Sequence, residues 1–99
     1  STTSTKSNNP GWITDVCRIE DGRDVCFVIM EDDPGMVHAY AILDEHGTLD
    51  DDPIWIMPSG GVHPCHASPF VLHSKNHPKS YFLVCAHYTS GNISVLSIC

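Results

Sequence analysis

His63-Pro64-Cys65-His66 places three potential zinc ligands within four residues, and His38, His46, His73, His77 and His87 add further imidazoles. Zinc would take imidazole nitrogen and thiolate in a tetrahedral set. The spacing, however, matches neither a Cys-x-x-Cys nor a His-Glu-x-x-His pattern, and oxidation of Cys65 would remove a ligand. Solvated loop histidines are the expectation, with His38 and His87 satisfied on strands and no metal or other cofactor bound. The carboxylate runs Glu31-Asp32-Asp33 and Asp50-Asp51-Asp52 could offer oxygen ligands to Ca²⁺, but neither follows an EF-hand loop. Both are expected to be solvated turns.

Nucleophilic chemistry has equally little support. Ser, His and Asp are all present, as in most chains, but no Gly-x-Ser-x-Gly elbow occurs. Cys65 beside His66 offers a thiol and a base, yet neighbours in a strand or loop usually point apart. No catalytic residue is assigned, and the chain is not expected to be an enzyme.

Five cysteines in 99 residues is a high count, and it points towards an oxidised, secreted chain. Cys17 could pair with Cys26 across a hairpin, closing a very short loop. Pairing Cys17 with Cys65 would close a far longer one, worth about 4 kcal/mol in the chain-entropy picture. The odd count leaves at least one thiol unpaired within the chain. Cys85, in an apolar strand, is the natural buried thiol, and Cys99 is terminal.

The elements that carry these residues are short strands. Trp12 to Met30 reads as a hairpin, about 12–20 and 23–31, closed by Asp21-Gly22. A two-residue turn there would set Cys17 opposite Cys26. Met36–Leu43 is a third strand, favoured over a helix because only eight residues lie between strong breakers. Pro53–Met57, Phe70–His73, Tyr81–Tyr88 and Ile93–Cys99 follow, the last alternating apolar and polar as an edge strand does. Val62–Pro69 is expected to be irregular. Residues 1–10 lack an apolar anchor and are expected to be a disordered leader, with 11–99 forming a single domain. The fold class is all-β: a small antiparallel sandwich of six to seven strands, stapled by a disulfide.

The formal net charge is −7, with 12 acidic residues against 5 lysines and arginines. Nucleic acid needs clustered Lys and Arg to displace phosphate counterions, and an anionic membrane needs the same, so neither partner is expected. There is no run of 18 apolar residues. The chain begins without Met and shows no signal peptide, as expected for a mature or trimmed form. Asn92-Ile93-Ser94 fits the glycosylation sequon.

Two stretches carry a family resemblance. One is Trp12 to Cys17 leading a strand into the Asp21-Gly22 turn. The other is Cys65-His66-Ala67-Ser68-Pro69-Phe70-Val71-Leu72, a cysteine followed closely by an apolar strand. Over about residues 12–88 the pattern resembles the MAX effectors, small secreted virulence proteins of plant-pathogenic fungi. Cys26, Cys85, Cys99 and a seventh strand depart from it. The resemblance implies a sandwich of two three-stranded sheets with a Cys17–Cys65 disulfide. It also implies secretion, translocation into host cells, and binding to a plant host protein, in some members a heavy-metal-associated domain, including one built into an immune receptor.

Binding without catalysis is therefore the expected function, with the protein a monomer. Met30, Met36 and Tyr40 are the expected apolar anchors and Asp32 and Asp33 the acidic rim, on the assumption that the hairpin strand and the strand after it expose an edge. The alternatives are a small secreted metal-binding or hydrolytic protein using His63, Cys65 and His66, and a viral or phage-type inhibitor in a reducing compartment.

Overall fold

In the computed structural model, which describes residues 9–98, the chain forms eight strands and, among the described residues, no helix. They are β1 (Pro10–Ile13), β2 (Cys17–Arg18), β3 (Asp24–Met30), β4 (Met36–Ala41), β5 (Trp55–Pro58), β6 (Pro64–Ser74), β7 (His77–His87) and β8 (Ile93–Ser97). They make two antiparallel sheets. The first has the order β1-β3-β4-β5, with β2 on the same edge of β3 as β1; the second has the order β6-β7-β8. Most of the expected leader, residues 1–8, lies outside the described residues, as does Cys99. Asn9 is held to Glu31, giving its Nδ2 to the Glu31 carbonyl at 2.6 Å and accepting the Glu31 N–H at 2.8 Å.

The Asp21-Gly22 signal does mark a hairpin, but with a different loop. Ile19 N–H donates to Arg23 O, and Gly22 N–H to Ile19 O, both at 3.0 Å. The loop is thus three residues, Glu20-Asp21-Gly22, with Gly22 at φ 90°, a left-handed conformation suited to glycine. One more loop residue moves the register by one, and a shift of one exchanges the faces of a strand. Cys17 therefore lies opposite Val25, not Cys26. Ile19 turns inward and is 2% exposed. The expected first strand is also broken. Between β1 and β2, Thr14 accepts the Phe27 N–H on its hydroxyl at 3.0 Å, so a side chain stands in for a strand carbonyl.

Alternation sorts β3 and β4 into two faces. Val25, Phe27, Ile29, Val37 and Ala39 point inward. With Ile19, and with Ala67, Leu83, Cys85 and Ile98 from the second sheet region, they form one buried cluster. The two sheets thus share their apolar interior. The expected edges do not survive. β3 is covered by β1 and β2, and β4 by β5, so neither offers a free edge.

β6 corrects the expectation of an irregular Val62–Pro69. Pro64 and Pro69 read as strand breakers, but among the described residues β6 pairs with β7 alone, and a sheet edge tolerates proline because one side of its backbone needs no donor. The result is a long hairpin whose strands are 11 residues each.

Candidate binding surface and the junction behind it

The first sheet's outer face is built row by row. Ile13 pairs with Val28, Val28 with His38, and His38 with Ile56, so one row crosses all four main strands. Ile13 is 56% exposed and Ile56 40%, while His38 between them is fully buried with its Nδ1 3.4 Å from the Tyr40 hydroxyl. Pro10, Gly11, Trp12, Ile13 and Val28 line an open groove of about 560 Å³ beside this row. The Trp12 ring lies against His66, with centroids 4.3 Å apart.

Acidic segments flank this face at both ends. Glu31-Asp32-Asp33 sits in the β3–β4 turn and Asp44 to Asp52 in the β4–β5 connection, and antiparallel topology puts these at opposite ends of the strands. All 12 carboxylic side chains of the chain fall between residues 15 and 52, and none lies in 53–99. Charge is therefore segregated by sheet. Asp44 is held below the ordinary carboxylate range by the Thr48 backbone N–H and hydroxyl. Burial raises the Tyr40 phenol, with the Asp52 charge acting in the same direction.

The expected partner-binding residues divide. Asp33 is exposed. Asp32 is half-buried, and its Oδ2 is buried with no hydrogen-bond partner among the described residues. Met36 and Tyr40 are half-buried on the outer face, whereas Met30 is 5% exposed and cannot serve as a surface anchor. Ile13 and Ile56 are exposed apolar side chains of this face that sequence reasoning missed. Exposed isoleucines cannot be told from buried ones until the pairing of the sheet is known.

His63, Cys65 and His66 do not converge. His63 Nδ1 meets Thr89 Oγ1 at 2.7 Å, Cys65 is exposed with its thiol 3.7 Å from the Ala86 carbonyl, and the His66 ring lies tilted at 45° against Trp12. Among the described residues no three His, Cys, Asp or Glu side chains are gathered to hold a metal ion. Nor does a disulfide join any two cysteines there. The implied Cys17–Cys65 bridge is not formed, since Cys17 packs against the core from β2 while Cys65 sits exposed on β6. The buried Cys85 thiol is pushed up to about 11 by desolvation. Thiolate is the reactive form. A native chain treated with a maleimide at pH 8 is therefore expected to be labelled at Cys65, with Cys85 protected until denaturant is added. Peptide mapping checks the order.

A second polar group, unforeseen from sequence, lies behind the β3–β4 turn. Ser59 Oγ and His87 Nε2 are 2.9 Å apart, and His87 Nδ1 lies 3.1 Å from the Asn92 carbonyl. A carbonyl only accepts, so Nδ1 carries the proton and Nε2 accepts from Ser59. Hydroxyl, imidazole and an orienting group in series is the arrangement of an activated nucleophile. Ser59, however, is 0% exposed and His87 5%, so no substrate reaches the hydroxyl. The group serves as a tie. Ser94 donates to the Ser59 carbonyl, Asn92 Nδ2 to Gly60 O at 3.0 Å, and Ser59 N–H to Gly35 O at 2.9 Å. Beside this group His63 adopts φ 54°, uncommon for a residue with a side chain. That conformation is held by His63 N–H to Asp32 O at 3.0 Å and Tyr88 N–H to His63 O at 2.9 Å.

No family model, curated protein or solved structure matches this chain. The functional reading therefore rests on the surface itself.

Proposed function

We propose that this protein acts by binding a protein partner, without catalysis, and that the partner presents a cationic, apolar segment to the outer face of the first sheet. The observation that carries this reading is that Ile13 and Ile56, at the two ends of the row Ile13–Val28–His38–Ile56, stand exposed between two acidic ends in a chain whose carboxylates all fall within residues 15–52. Exposed apolar side chains supply desolvation at the centre of such a contact, and flanking charge supplies steering and orientation. The resemblance to MAX effectors extends the proposal. The protein would be a secreted sandwich-type effector and the partner a plant host protein.

The test uses a defined probe, a synthetic peptide alternating Lys and Leu, with a Glu/Leu peptide as control. Asp33→Lys combined with Asp51→Lys is expected to slow association with the cationic peptide by about tenfold at low salt and to flatten its salt dependence. Ile13→Ala and Ile56→Ala are expected to act mainly on dissociation. If both sets bind like the parent chain in a surface-plasmon assay, this surface is the wrong one.

A further inference from the structure

Among the described residues four strand sides lie open at the rims of the two sheets, and three are guarded. The β1–β2 side begins with Pro10 and carries an irregularity between Pro10 and Trp12. β5 is four residues long and ends in Pro58. β6 contains Pro64 and Pro69 and two register shifts. Proline, shortness and bulges are the devices by which proteins keep sheet edges from pairing with other chains. β8, Ile93-Ser94-Val95-Leu96-Ser97, has no proline, no charge and no bulge.

The hydrogen bonds fix which backbone groups of β8 are open. His87 N–H donates to Asn92 O at 3.0 Å and Ile98 N–H to Tyr81 O at 2.9 Å. In an antiparallel ladder the bonded pairs alternate, so Ser94 and Leu96 also bond to β7, opposite Cys85 and Leu83. Ile93, Val95 and Ser97 then direct N–H and C=O away from the sheet. Their side chains lie on its outer face, where Ile93 is 73% and Val95 58% exposed. The rows continue as Ile93–Ala86–His66, Val95–Val84–Ser68 and Ser97–Phe82–Phe70. None of these residues carries a fixed charge.

We propose that β8 pairs antiparallel with β8 of a second copy about a two-fold axis at Val95, making a continuous six-stranded sheet. Charge selects this occupant. Two chains of net charge −7 repel wherever first sheets meet, but residues 53–99 contain no Asp or Glu, so this joint brings no carboxylates together. Beyond about 8 Å the remaining repulsion is screened at physiological salt. The strand is also self-complementary: Val95 faces Val95 and Ile93 faces Ser97, with apolar or hydroxyl groups throughout. Because the other three sides are guarded, the assembly closes at two copies. This inference departs from the monomer expected from the sequence and does not depend on the proposed function.

Sedimentation equilibrium of the full chain in reductant, up to about 1 mM, tests it. The expected result is a species of about 22 kDa, twice the 10.9 kDa chain. Val95→Pro removes only the outward N–H and is expected to raise the dimer dissociation constant by about tenfold or more. Val95→Lys, which sets like charges directly opposite one another, is expected to do the same and guards against misfolding of the proline variant. A chain that stays at 10.9 kDa throughout overturns the proposal. So does a dimer that both variants leave intact, or a series of larger oligomers.

Discussion

Phe27→Ala is expected to lower the free energy of unfolding by about 3–5 kcal/mol, a large part of the 5–15 kcal/mol typical of a domain. Phe27 is fully buried in the cluster that both sheets share. Its loss removes a large apolar side chain from the joint and leaves a cavity that inward residues of two sheets would have to fill together. Val28, its neighbour, points outward and is half-buried. Val28→Ala is expected to cost about 1 kcal/mol or less on the same scale. Urea unfolding of the two variants checks the contrast. Similar small losses at both positions would mean that the sheets do not share a core.

Gly35→Ala is expected to be the other severe change. Gly35 is buried where the β3–β4 turn meets the junction, giving its N–H to Gly61 O and accepting the Ser59 N–H, both at 2.9 Å. A Cβ there would collide with the Ser59 hydroxyl and the Pro64 ring. The ring is fixed and Ser59 is held by His87, so relief requires the turn to move and the junction hydrogen bonds to break. Overpacking costs about 1–3 kcal/mol, and a buried polar group left unpaired about 1–3 kcal/mol more. Gly61→Ala is expected to act through the same group, since its Cβ would sit 2.6 Å from the His87 ring. A Gly35→Ala chain that melts within about 2 °C of the parent would show that the junction yields freely.

The sequence carried the fold class but not its wiring. Breakers at regular intervals and short apolar runs announced an all-β chain. Met36–Leu43 was legible as a strand, and β8 as an edge, because its alternation could only suit one wet face. The hairpin register was not legible. Asp-Gly signals a two-residue turn, while Arg23 N–H and Nε both bind the Asp21 carboxylate in the wider three-residue loop. Prolines hid β6, because whether proline breaks a strand depends on whether the strand has neighbours on both sides. The same gap misplaced the edges, for β1 begins at Pro10 inside what reads as a leader. The Ser59–His87 pair joins positions 28 residues apart, brought together where the β5–β6 connection meets the end of β7. Among the expected surface residues, acidity was readable as composition, but its confinement to one sheet needed the topology.

On the proposed reading, the outer face of the first sheet receives a cationic, apolar partner. Amide chemical-shift mapping of the ¹⁵N-labelled chain, titrated with the Lys/Leu peptide and then with the Glu/Leu peptide, tests it most directly. The cationic peptide is expected to move the signals of Ile13, Val28, Tyr40, Ile56 and Asp33 together, with one saturation curve that weakens as salt is added. The acidic peptide is expected to leave them in place. Shifts confined to β6–β8, or equal responses to both peptides, would contradict it.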